Sequence, residues 1–390
     1  MTPHLDSMNF QQIATLFGCL FLIGSAEVVA GPMMSFMGAH FNVPSSAIAY
    51  LPAAYGLTYG AIALLAGPLS DRFGRKRPLQ LGLLGFAALS ALMPAAPTLT
   101  VAIALSALTG LCAAVIQPNA LSLVADLSST DKIGQRIGHV FIGLMLAFVL
   151  TPALAGRLAD TTGWESAYYA LSALALVAIF AVSICFESKA LINTKSLSSL
   201  SAFFSVHKGA LTTPGVRWRL SASYLWLGWV AGFGAVVAEV ASRKLNIPPT
   251  QAGLFAGFFG LMVITGNLSN GALQRLLGES ALPITAIASS IGILLFLLPL
   301  HSPEQLASAG AIWAFGYGCA GPLHHARLSA LSDSYRGTVN SYHASLLNLG
   351  IFSVSALLGT LAQLATLSTF CTTVGCVALA GSALLWRKNC

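Results

Sequence analysis

Residues 67–77 read Gly-Pro-Leu-Ser-Asp-Arg-Phe-Gly-Arg-Lys-Arg. Apolar runs of about twenty residues flank them, each long enough to cross the ~30 Å hydrocarbon core of a bilayer. One acid and four bases between two such runs make a short charged loop at the water face of a membrane. The reading of the whole chain follows from that loop.

Composition agrees. Of 390 residues, 56% are hydrophobic and 8% charged, whereas soluble domains carry about 25% charged residues. The chain therefore reads as an all-α polytopic membrane protein. Its net charge of +7 does not indicate a nucleic-acid partner, because the bases are dispersed singly in short loops. Orientation in the bilayer and contact with anionic lipid account for it. Cys19, Cys112, Cys185, Cys319, Cys371 and Cys376 fall inside apolar runs, with Cys390 last, and no Cys-x-x-Cys pair occurs. They read as small packing residues, so no disulfide or metal framework is expected. The first apolar run, 13–37, is too long for a signal-peptide core, has no basic leader and carries Glu27; it reads as a first transmembrane helix.

Spans of sufficient length occur at 13–37, 48–69, 78–95, 98–125, 137–159, 165–186, 218–242, 251–273, 281–300, 305–330, 339–363 and 367–386. Twelve transmembrane helices are expected, separated by short turns such as Asn42-Val43-Pro44-Ser45 and Ile247-Pro248-Pro249. The one long break, 187–217, is serine-rich and basic. It divides the chain into an N-terminal six-helix bundle (1–186), a linker (187–217) and a C-terminal six-helix bundle (218–390). With the N-terminus inside, sixteen Lys and Arg fall on the inner face, while Arg157, Arg243 and Lys244 fall outside. Both termini and the linker are therefore expected in the cytoplasm.

The halves repeat with an offset of 204 residues. Gly67 aligns with Gly271, Gly74 with Gly278, Pro118 with Pro322 and His139 with His343. A duplicated unit, both copies in the same orientation, predicts pseudo-symmetric bundles.

An ionisable group deep in a membrane marks function by default. Glu27 lies well inside the first helix, with Gly24 and Gly31 on the same face offering space beside it. A carboxyl that can be protonated or ionised in an alternating cavity suits proton coupling. Glu239 sits four residues before Arg243 and suggests an interfacial ion pair. In the tenth helix Trp313, Tyr317, Ala320, His324 and Arg327 form one stripe. Trp313 could instead anchor at the outer interface and Arg327 could snorkel inward. His325 and His343 are expected to pack. Tyr55 and Tyr59 share a face of the second helix. The fourth helix offers Gln117 and Asn119, the seventh Trp226 and Trp229, and the eighth Asn267. Each can be interhelical glue or a ligand contact; together they suit a cavity for an amphipathic molecule.

The 67–77 loop resembles the signature between the second and third helices of the major facilitator superfamily. Gly67, Leu69, Ser70, Asp71, Arg72, Gly74, Arg75 and Lys76 fit it. The resemblance implies two rocking bundles, alternating access, and a latch in which Gly67, Asp71, Arg72, Gly74 and Arg75 act, with Arg75 pairing Asp126. Within the superfamily the chain is similar to the bacterial twelve-helix drug:proton antiporters. Glu27 precedes Gly31-Pro32, and Thr151-Pro152-Ala153-Leu154-Ala155-Gly156 looks like their close-packing segment of the fifth helix. Where that branch carries a fourth-helix arginine four residues before a glycine, this chain has Ser106 before Gly110.

The expectation is a secondary active transporter of the inner membrane, exporting small amphipathic organic molecules in exchange for protons, of the kind tied to multidrug resistance. The alternative is uptake or facilitated diffusion of a metabolite or siderophore, with His324 and Arg327 binding an anionic group. A non-transporting receptor ranks below both. No phosphate loop, metal cluster or nucleophile–base set occurs, so no enzyme activity, metal or cofactor is expected. The expected partners are the substrate, protons and lipid, acting on a monomer.

Overall fold

The computed structural model describes residues 8–73, 75–129, 132–186, 200–332, 334–364 and 367–386, without the side chains at 65–73, 133–134, 200–204 and 362–364. Twelve long helical segments carry the fold. The first half holds α1 (Phe10–Phe41), α2 (Tyr50–Phe73), α3 (Lys76–Leu92), α4 (Leu99–Leu127), α5 (Ile133–Thr161) and α6 (Glu165–Cys185). The second holds α7 (Val216–Leu245), α8 (Pro249–Leu268), α9 (Ala281–Leu294), α10 (Pro303–Ser329), α11 (Arg336–Leu364) and α12 (Leu367–Ala383). A linker helix, Leu200–Thr212, precedes α7; it lies in the stretch read from sequence only as a polar break. Residues 187–199 of that stretch are outside the described residues.

Local chemistry sets the ends. Asn9 and Gln12 form a reciprocal capping box at the start of α1. Thr98 and Ser302 cap α4 and α10, each side chain accepting a backbone N–H three residues on. Asn42 and Asn246 end α1 and α7 in the left-handed conformation, at φ 54° and 51°. Asparagine tolerates that conformation where most side chains would strain. Their separation equals the repeat offset of 204, and each is followed two residues on by proline. The repeat thus extends to backbone conformation.

Two helices depart from regularity. The α-helical part of α1 stops at Val28, and Gly31–Met33 forms a 3₁₀ turn before Met34–Phe41 resumes. Pro32 has no N–H to give the Val28 carbonyl, so the ladder breaks there. In α7 residues Ser223–Gly228 form a π-helical turn, a feature frequent at functional sites. Among the described residues, eleven segments meet the length and mean hydropathy of a membrane span. The remaining one, α10, carries the polar stripe.

The halves meet mainly through α5 against α8 and α2 against α11. Glycine makes the first contact possible. A Cβ at Gly253 would collide with the Pro152 carbonyl oxygen, and one at Gly156 with that of Pro249. The Thr151–Gly156 segment therefore packs closely against Gly253 of α8, and Gly257 and Gly260 continue the contact against Val149 and Phe148 of α5.

Candidate substrate and coupling site

Glu27 sits in the last α-helical turn of α1, just before the break. It faces a cavity between the halves. Phe148 and Pro152 of α5 line one side; Gly234 and Val237 of α7, Phe259 and Gly260 of α8, and Trp313 and Tyr317 of α10 line the other. The space amounts to about 50 Å³, room for a few water molecules at roughly 10–15 Å³ each. Pockets that hold drug-sized ligands measure roughly 300–1,000 Å³, so the halves leave only a small space between them here. The Glu27 carboxyl has no ion pair or hydrogen bond with any other described residue. Gly24 and Gly31 leave no space beside it, contrary to the expectation from their shared face. A Cβ on Gly24 would stand 2.9 Å from the Ala147 Cβ, and one on Gly31 would stand 3.1 Å from the Ala235 carbonyl. Both are helix-contact positions, where removing a side chain serves close approach.

The aromatic wall is rigid. Trp313 is 3% exposed, which removes it from the lipid interface. Its indole donates to the Val230 carbonyl at 3.3 Å. Its ring meets Phe233 and Phe259 edge-on at 5.3 and 5.7 Å.

The other candidates fall into separate groups. Tyr55 donates to the Ile23 carbonyl at 3.3 Å and Tyr59 to Gln117 Oε1 at 2.7 Å, tying α2 to α1 and α4. Asn119 turns back to the Val115 carbonyl at 2.7 Å. Asn267 reaches Met145 Sδ at 3.4 Å across the halves. Trp226 donates to Ser289 Oγ at 3.0 Å inside the second half. Trp229 keeps a buried indole N–H without a partner. Ser106, in place of the arginine, donates to the Leu51 carbonyl at 2.7 Å, joining α4 to α2.

His324 belongs to a cluster that the sequence reading had dispersed. Its Nε2 lies 2.8 Å from Ser223 Oγ, which lies 2.9 Å from His343 Nδ1. The His325 ring packs against His343 at 4.8 Å. Ser223 also reaches the Arg219 carbonyl at 3.1 Å. One hydroxyl has one proton, so at least one imidazole must donate its N–H to the serine oxygen. No group of His, Cys, Asp and Glu among the described residues could hold a metal ion.

At the other end of the helices, hydrogen bonds cross between the halves. Ser45 donates to Glu239 Oε1 at 2.6 Å, Arg243 pairs with the same oxygen at 2.6 Å, and Arg243 also reaches Ser45 at 3.0 Å. The Thr250 backbone N–H donates to Asp160 at 2.9 Å, and Tyr50 meets Thr360 at 2.9 Å. Glu239 thus keeps its i,i+4 partner and also bridges the bundles while 3% exposed.

The signature of the Major Facilitator Superfamily matches residues 16–352. The chain belongs to that superfamily. It is similar to the Bacillus subtilis (strain 168) protein described as uncharacterized MFS-type transporter YceJ, at 24% identity over 344 residues, 88% of this chain and 86% of that protein. Multidrug resistance protein D of Escherichia coli (strain K12) is 25% identical over 352 residues, 85% of each chain. In fold it matches the crystal structure of a D-xylose-proton symporter with a TM-score of 0.77, over 97% of this chain and 96% of that one, at 16% identity. The superfamily's loop places Arg75 3.4 Å from Asp126, both partly exposed. Such a pair contributes about 0–1 kcal/mol. Gly74, the surroundings of Gly67, and the side chains of Asp71 and Arg72 lie outside what the structure describes.

What sequence reasoning missed is the wall contributed by Phe148, Phe259, Gly234 and Val237. The Gly253, Gly257 and Gly260 spacing in α8 was the available signal for a helix meeting the other half.

Proposed function

We propose that this transporter exports small amphipathic organic molecules in exchange for protons by alternating access. It would do so in a bacterial inner membrane with both termini cytoplasmic. Residues 1–186 and 218–390 would rock as two bundles about the site, with 187–217 as the linker. The observation that carries the reading is Glu27. It is a carboxyl without a described partner, on a cavity lined by both halves and walled by Trp313, Tyr317, Phe148 and Phe259. Aromatic surface suits an organic ligand, and a lone carboxyl suits a proton or a cationic group. Protonation from the outer side would accompany substrate release. Loss of the proton inward would permit rebinding, so the two ligands compete. The likeness to Multidrug resistance protein D supports drugs as one substrate class.

The test uses the purified full chain in proteoliposomes with a panel of radiolabelled compounds and an imposed pH gradient. Wild type should concentrate its substrate when a pH gradient is imposed. Glu27→Gln should lose gradient-driven accumulation while keeping the binding of neutral substrates. Accumulation by Glu27→Gln at the wild-type rate would make Glu27 structural and end this assignment.

A further inference from the structure

Arg219 is a buried guanidinium that no described carboxylate neutralises. It lies in the first turns of α7 and is 8% exposed. Its Nη1 is closed off and has no hydrogen-bond partner, and no described carboxylate pairs with it. An unpaired buried charge is strongly unfavourable. Its surroundings make matters worse. Arg327 of α10 is close enough for the two charges to repel, and its own Nη1 reaches only a carbonyl oxygen, that of Glu279, at 3.1 Å. His324, joined to this turn through Ser223, also has a buried Nδ1 without a partner. Two permanent cations, neither paired with a described carboxylate, call for an oxyanion, which a guanidinium grips bidentately.

The position selects the kind of oxyanion. Trp218 is 50% exposed and Trp386 is 52% exposed. The Leu384–Trp386 turn packs against the start of α7, so both exposed tryptophans lie at the same end of the second half as Arg219. Exposed tryptophans at helix ends of a membrane protein sit at headgroup depth. The same end carries Arg217 and the linker helix.

We propose that Arg219 and Arg327 bind the phosphate of an anionic phospholipid at this end of the second bundle, at the depth marked by Trp218 and Trp386. The lipid supplies the missing counter-charge and fastens α7, α10 and α12 together. This is independent of the coupling role given to Glu27.

The experiment compares wild type, Arg219→Gln and Arg219→Lys, each as the full chain, delipidated in detergent. Lipid retention is read by native mass spectrometry, with phosphatidylglycerol against phosphatidylcholine, and thermal unfolding is followed with each lipid and with inorganic phosphate. Wild type should prefer phosphatidylglycerol and gain stability from it. Arg219→Gln should lose about tenfold in affinity, the worth of one charge-assisted hydrogen bond. Arg219→Lys should fall between, because an ammonium lacks the fork. Without lipid, Arg219→Gln should melt no lower than wild type, since it sheds an unpaired charge, and this shows that the variant folds. Equal phosphatidylglycerol binding by wild type and Arg219→Gln overturns the proposal. So does wild type that does not distinguish the two lipids. Stabilisation by inorganic phosphate with none from phosphatidylglycerol overturns the lipid as the source and identifies a soluble oxyanion instead.

Discussion

At the scale of single residues, the cavity sets one ionisable group against an aromatic wall. Trp313 is the largest element of that wall and is held by Phe233, Phe259 and the Val230 carbonyl. Trp313→Ala should cost stability on the order of 3–5 kcal/mol, as expected for a large core truncation. Trp313→Phe keeps one aromatic ring but loses the five-membered ring and the indole bond, so it should cost less than the alanine variant, about 1–3 kcal/mol. If substrate uses this wall, Trp313→Phe should raise KM for aromatic substrates several-fold and leave the response to a pH gradient intact. Transport kinetics alongside thermal unfolding separate the two effects. An unchanged KM in a folded variant would place the substrate elsewhere.

At the scale of helices, the irregular turns fall beside chemistry. The α1 break follows Glu27 by one residue, and the π turn of α7 begins at the serine shared by His324 and His343. A freed carbonyl or a widened turn lets a helix bend there without breaking a full ladder. The α5–α8 contact works the other way, by tight fit. Gly253→Val should therefore force the two helices apart, lower stability and reduce transport at least tenfold. Gly18→Ala is the control. Nothing lies within 4 Å of its Cβ position, and replacing a mid-helix glycine should stabilise by about 0.5–1 kcal/mol. A Gly253→Val protein with wild-type turnover would show that close approach of α5 and α8 is not needed.

At the scale of the molecule, the halves are tied at the end that carries Ser45, Asp160, Glu239 and Thr250. Glu239 is the centre of that tie, because both Ser45 and Arg243 depend on it. Glu239→Gln leaves Arg243 without its carboxylate and weakens the bridge. Hydrogen–deuterium exchange should then quicken about tenfold in residues 42–49 and 246–250, with little change in the linker helix. Uniform exchange across the protein would mean general destabilisation instead, and no change would remove Glu239 from the closure. Orientation is tested separately: reporter fusions after Lys195 and after Cys390 should both read the cytoplasmic side, and an outer signal from either one reverses the topology.

The sequence by itself determined the class, the number of helices, the internal repeat and the place of Glu27. Each of these depends on quantities written along one dimension: the length of apolar runs, the offset between like motifs, and the cost of a carboxyl in hydrocarbon. It also determined the stripe on α10, since helical period alone puts Trp313 and Tyr317 on one face. Only the tertiary structure decided what that face meets. Phe148 and Phe259 look the same in sequence whether they turn to lipid or to a cavity, because both surroundings are apolar. Tyr55, Tyr59 and Gln117 were polar enough to suggest a ligand, yet they satisfy one another and the backbone within one half. Arg219 counted from sequence as one more loop base, and His343 as a repeat-related packing residue. What each side chain faces is set by how twelve helices pack, and the spacing of residues along any one helix does not contain the positions of the other eleven.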